Sequence, residues 1–137
     1  EIANCLVGSE MCIRDSNNVV QDIKKIFLQK IKQLEKIKIP SSKVWFDPGI
    51  GFGKNLKQNI EIMQKINQFK FKGYGLLLGS SRKSWINFID KSETNQRLGG
   101  SIASALYCYQ KGVDIFRVHD IKETSQSLKI FEKLCSK

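Results

Sequence analysis

From Val20 onward, apolar residues return at steps of three and four: Val20, Ile23, Ile26, Phe27, Ile31, Leu34 and Ile37. That spacing puts them on one face of a helix. Asn17 or Asn18 is placed to cap its start, and Pro40 with the serines after it stops it. A second helix is expected from about Asn55, with Leu56, Ile60, Met63, Ile66 and Phe69 on its apolar face. A third spans roughly residues 96–111, carries Leu98, Ile102, Ala105, Leu106 and Tyr109 inward, and has Gly112 as its C′ residue. Leu128, Phe131 and Leu134 mark a last helix.

Short apolar runs separate these helices. Residues 43–46, 74–78 and 114–119 have strand length, and each ends in polar or glycine-rich sequence. The order is α-β-α-β-α-β-α. Strands that alternate with helices, one βαβ unit of roughly 30 or more residues apart, form a parallel sheet with right-handed crossovers. Three strands are few for a doubly wound domain. They suit the end of a (β/α)8 barrel, which takes about 250 residues when complete.

Composition limits the function without naming it. At 137 residues and 41% hydrophobic, the chain can build a core. No apolar run approaches the ~18 residues that read as a membrane span, and no secretory signal stands at the front. A cytoplasmic protein, without membrane contact, is therefore expected. The net charge of +10 suggests nucleic acid, but 19 of the 23 basic residues are lysines spread over every expected helix. They read as solvated faces that can still draw in an anionic substrate, with no nucleic-acid partner. Cys5, Cys12, Cys108 and Cys135 form no C-x-x-C pair and have no histidine cluster beside them, so reduced thiols are expected. Residues 1–16 show neither periodicity. Cys5 to Ser16 resembles translated sequencing-adapter read-through, so a non-native leader is expected there and residues 17–137 carry the functional argument.

The chemistry gathers at the strand ends. Val44-Trp45-Phe46 stops at Asp47, and Pro48-Gly49-Ile50-Gly51-Phe52-Gly53-Lys54 follows. The turn is neither a Walker loop nor G-x-G-x-x-G, because Asn55 follows Lys54 and Lys54 occupies the third glycine's place. It offers backbone that a flat ligand can approach, beside a carboxylate that can accept two parallel hydrogen bonds, as from a pterin's amino-pyrimidinone edge. The alternative is a plain turn residue at Asp47. Gly79-Ser80-Ser81-Arg82-Lys83-Ser84 supplies hydroxyls and cations after the second strand. Phe116-Arg117-Val118-His119-Asp120 closes the third strand. Alternation places Arg117 and His119 on one face, a plausible pyrophosphate grip. The alternative there is His119 satisfied by its neighbour Asp120.

Together these motifs, with Gln96-Arg97-Leu98-Gly99-Gly100-Ser101, resemble dihydropteroate synthase from about Asn17 to Lys137. The resemblance implies an incomplete α/β TIM barrel: its C-terminal portion, about strands six to eight with flanking helices, within a pterin-binding (β/α)8 domain. It implies condensation of 6-hydroxymethyl-7,8-dihydropterin diphosphate with para-aminobenzoate, releasing pyrophosphate, in folate biosynthesis. Carried over by position, Asp47 holds the pterin edge. Lys83 contacts the pterin and borders the aminobenzoate pocket, which Gly51, Phe52 and Ser84 help shape. Arg117 flanks the pterin, and with His119 it binds the departing diphosphate. Catalytic roles fall to Lys83, Arg117 and His119. The resemblance also implies a homodimeric parent and a Mg2+ ion whose ligand residue belongs to the absent N-terminal part. Because those first strands are absent, the chain alone is expected to be inactive, with open sheet edges that favour self-association. The competing reading is the pterin-binding domain of a cobalamin-dependent methyltransferase, which shares the acidic anchor but has no diphosphate to grip.

Overall fold

The computed structural model of the chain describes residues 16–136. Apart from Ser16, the expected leader lies outside the described residues. Ser16 belongs to the first helix cap: its hydroxyl donates to Asp22 at 2.5 Å and accepts from the Asn18 N–H at 3.0 Å.

The elements alternate as expected: α1 (Val19–Lys36), β1 (Trp45–Phe46), α2 (Leu56–Gln64), β2 (Gly75–Leu78), α3 (Ser84–Ile89), α4 (Leu98–Gln110), β3 (Ile115–Phe116) and α5 (Ile121–Cys135). Asn18 caps α1 by accepting from the Gln21 N–H. Asn55 and Gln58 form a reciprocal capping box at the start of α2, satisfying two otherwise orphaned N–H groups. Gly112, at φ 90°, is the residue that turns the chain out of α4.

Five expectations shift. The last strand, expected over residues 114–119, is confined to Ile115–Phe116, so Arg117 and His119 lie just beyond it. Residues 41–43 are a 3-10 turn, so β1 begins two residues later than the apolar run. The helix beginning at Leu56 stops at Gln64 and tightens to a 3-10 turn over Ile66–Phe69, which keeps both of those residues buried without continuing the α-helical face. Residues 94–96 form a separate 3-10 turn ahead of α4. The short α3 was not expected. It buries only Trp85 and Ile86 and leaves Phe88 and Ile89 exposed, so its six residues carry no helical period.

The three strands form one parallel sheet in chain order β1-β2-β3, with Trp45 opposite Gly75 and Leu77 opposite Ile115. Alternation gives the sheet two unlike faces. Phe46, Leu76 and Leu78 point to the helices and are buried. They pack with Val20, Ile23 and Phe27 of α1, Ile62 of α2, and Ile66 and Phe69. Phe27 meets Phe46 at 4.6 Å between ring centroids and Phe69 edge-on at 5.7 Å. The opposite face bears Trp45, Leu77 and Ile115. Trp45 lies so close over Gly75 that a Cβ there would sit 2.0 Å from the indole. Asp114 ties β3 to β2, accepting the Leu76 N–H at 2.8 Å and the Lys70 ammonium at 2.5 Å. On the outside, α4 and α5 pair through Tyr109, which stacks edge-on against Phe131 and donates to Glu132. The whole is an arc of a (β/α)8 barrel, with helices outside and the strands' carboxyl ends opening on one rim.

Candidate functional site

The glycine turn after β1 is built for close approach. Gly49, Gly51 and Gly53 all take left-handed φ, from 59° to 82°, which side chains resist. The Lys54 ammonium, buried beneath the turn, donates to the carbonyls of Gly49 (2.9 Å) and Phe52 (3.0 Å). Asn59, from α2, accepts the Gly51 N–H at 2.7 Å and donates to the Asn55 carbonyl at 2.9 Å. Neither Lys54 nor Asn59 was singled out from sequence. Burial of polar residues beside a glycine turn is the signal, and it exists only in three dimensions. Burial lowers the Lys54 pKa to about 8; Asp47 opposes the shift and Lys83 adds to it.

Asp47 is nearly buried, with its side chain 8% exposed. Its Oδ1 accepts the Gly49 N–H at 2.8 Å, so the turn-residue reading holds for one oxygen. Its Oδ2 receives Arg117 from β3's end at 3.3 Å. Each carboxylate oxygen retains acceptor capacity for a ligand edge.

The loop after β2 supplies the second group. Lys83 reaches back to donate to the Ile50 carbonyl, and its ammonium lies 4.1 Å over the Phe52 ring. A Cβ on Gly51 would come within 2.9 Å of the Lys83 stem, so the glycine makes the room that Lys83 fills. Burial lowers the Lys83 pKa, Asp47 opposes this, and Arg117 adds to it. Ser81 is buried and bonds His119 twice, accepting its backbone N–H at 3.3 Å and meeting Nδ1 at 3.1 Å. His119 is therefore not satisfied by Asp120. That carboxylate pairs instead with Arg82, whose hydrogen bond is the main reason its pKa is lowered.

The strand ends thus bring Arg117 to Asp47 and Lys83 to Gly51 and Phe52 on the same glycine turn, while Ser81, on the loop that carries Lys83, holds His119. Ser84 is exposed at the start of α3 and its side chain takes no part in these bonds. Arg117 and His119, just beyond β3, are both exposed, but Arg117 turns to Asp47 while His119 turns to Ser81. Gly79 keeps the space for Arg117, since a Cβ there would meet its guanidinium at 3.0 Å. A concavity of about 570 Å³ lies away from this group between Trp45, Lys70 and Tyr74, where Lys70 is already paired with Asp114. Among the described residues no group of three or more metal-ligating side chains occurs. The nearby carboxylates are engaged by Arg117 and Arg82. This set does not fit a metal ion.

The site's geometry is matched by sequence. The sequence model described as "Pterin binding enzyme" fits residues 8–119. The chain belongs to the pterin-binding enzyme family. Within that family it is similar to dihydropteroate synthase of Escherichia coli (strain K12), 35% identical over 120 residues, which cover 88% of this chain and 43% of that protein. Two solved structures share its fold. Dihydropteroate synthase of Xanthomonas albilineans with 4-aminobenzoic acid superposes with a TM-score of 0.84 at 28% identity, covering 89% of this chain and 45% of the other. The Clostridium difficile enzyme in the presence of pteroic acid gives 0.81 at 36% identity, covering 90% and 46%. The chain thus spans under half the length of the relatives it matches, and its fold is the expected incomplete TIM barrel. Among the described residues no helix is long and apolar enough to cross a membrane.

Proposed function

We propose that this chain forms one wall of a dihydropteroate synthase site that joins a dihydropterin diphosphate to para-aminobenzoate. The observation that carries this reading is the convergence of three strand ends. Asp47 and Arg117 pair at 3.3 Å, Lys83 crosses to the glycine turn, and His119 is held by Ser81. Asp47 accepts the N–H and amino group of the pterin edge, displacing Arg117 as its partner. The freed Arg117, with His119, faces the diphosphate. The pterin's C9–O bond breaks and its electron pair leaves with the diphosphate, whose growing charge the Arg117 guanidinium and the His119 ring stabilise. The aminobenzoate nitrogen lone pair forms the new C–N bond, and the amine proton passes to water. Phe52 and Lys83 border the space for the aminobenzoate ring. Since the residues here do not fit a metal ion, we derive no step through Mg2+.

We further propose that turnover needs the remaining barrel wall, which these strand ends do not build. The apolar surface left on α4 and α5 by Tyr107, Ile121, Ile130 and Leu134 supports pairing with a second copy. The free thiols of Cys108 and Cys135 fit a reducing compartment such as the cytoplasm.

Calorimetric titration of the chain with a dihydropterin diphosphate, inorganic pyrophosphate and methyltetrahydrofolate tests this reading. Charge-assisted hydrogen bonds of about 1.5–3 kcal/mol make Asp47→Asn weaken pterin binding about 10- to 100-fold, with pyrophosphate binding retained. Arg117→Ala should weaken pyrophosphate binding. Preference for methyltetrahydrofolate, or indifference to Asp47→Asn, would favour a methyltransferase domain or another ligand.

A further inference from the structure

Arg82 lies between two residues of the site, and its backbone is unusual. Its φ is 54°, in the left-handed region where a residue with a long side chain is uncommon and strained. Three contacts hold it there. Its N–H donates to Ser101 Oγ at 2.8 Å. Its carbonyl accepts from Arg97 Nη1 at 3.0 Å. Its guanidinium forks onto Asp120, through Nε at 2.9 Å and through Nη2. Ser101, buried in the first turn of α4, also donates to the Arg97 carbonyl at 2.7 Å, so the two residues that hold the Arg82 backbone are themselves joined.

The consequence is directional. A left-handed residue reverses the course of the chain, so its neighbours part. Ser81, before it, turns to His119; Lys83, after it, turns to the Ile50 carbonyl and the Phe52 ring. The same side chain that closes this geometry also binds the loop bearing His119, through Asp120. We infer that Arg82 is a positioning residue: its strained backbone and its fork onto Asp120 together set Ser81–His119 and Lys83 in one fixed relation. This rests on the reading that Lys83 and His119 meet substrate, but the geometry can be tested without a ligand.

The variants are Arg82→Gly, Asp120→Asn and the double substitution. Glycine accepts the left-handed φ without strain, so Arg82→Gly removes the fork and spares the turn. Asp120→Asn keeps the shape and removes the charge, and decides the matter should Arg82→Gly not fold. His119 is the chain's sole histidine, so its ring gives isolated NMR signals. In ligand-free protein the ring is expected to show a nuclear Overhauser contact to the Ser81 Hβ protons, from the 3.1 Å approach of Nδ1 to Ser81 Oγ. That contact is expected to disappear in both single variants while the circular-dichroism spectrum and cooperative melting persist. Inorganic pyrophosphate is expected to bind about tenfold more weakly to each single variant, with the double variant no worse than either single, because all three break one unit. Persistence of the ring contact in the single variants would overturn the inference. Additive losses of pyrophosphate binding would do the same, by making Arg82 a direct ligand contact. Failure of the unsubstituted protein to bind pyrophosphate, with the ring contact still lost in the variants, would sink the functional reading and leave the positioning role standing.

Discussion

Lys54 is a cation placed where water is scarce, and its two acceptors are backbone carbonyls rather than a carboxylate. Burial therefore lowers its pKa from the ordinary 10.5 to about 8, with only partial opposition from Asp47. The sign of the resulting stability change follows. Between about pH 8 and 10.5 the unfolded chain holds a proton that the folded chain has released, so stability rises with pH across that window. A neutral amine can still donate to both carbonyls, so the turn is not lost. Unfolding in urea at pH 7.5, 9 and 10.5 should show this rise, and Lys54→Met should flatten it relative to the parent chain. Equal slopes in the two proteins would show that the rise comes only from the general loss of positive charge. The residue names in the glycine turn were readable in sequence, and so was the carboxylate before them. That Lys54 lies under the turn was not, because its neighbours in the chain are exposed and nothing in the order of residues marks it as buried.

At the scale of the element, the same turn depends on the helix that follows. The capping box of Asn55 and Gln58 fixes the first turn of α2, and one turn on, Asn59 reaches back to the Gly51 N–H. Asn55→Ala should cost about 1 kcal/mol and lower the melting temperature by about 2–4 °C. It should also loosen the glycine turn, visible as faster amide exchange at Gly51; unchanged exchange there would separate the cap from the site. Capping residues and helical period are local properties, which is why the starts of α1 and α2 could be placed from sequence. The 3-10 turn at Ile66–Phe69 and the short α3 escaped for the opposite reason. Both are set by packing against distant helices: Phe69 by Phe27 of α1, and Ile86 by the bare backbone of Gly100 in α4, where a Cβ would come within 2.7 Å. The alternative reading of His119 as satisfied by Asp120 fails in the same way, because a nearer claimant for each, Ser81 and Arg82, comes from another loop.

At the scale of the whole molecule, the sheet's two faces differ. The helix side is closed, while the other carries Trp45 at 48% and Ile115 at 38% exposure, beside outer strand edges that pair with no other strand among the described residues. Such a face favours association. Trp45→Ser should lower concentration-dependent light scattering and leave the α-helical signal intact. Unchanged scattering would locate self-association elsewhere, with the apolar residues of α5 the next surface to test.

The sequence by itself determined the alternation of helices and strands, the parallel order, and the three strand ends that carry the polar groups. These follow from periodicity, caps and turn residues, which are properties of neighbours along the chain. Only the tertiary structure decided the pairings: Asp47 with Arg117, His119 with Ser81, Arg82 with Asp120, and Lys54 under its own turn. Those pairings join groups from separate loops, and which partner wins depends on distance, burial and competition that appear only when the strand ends are brought to one rim.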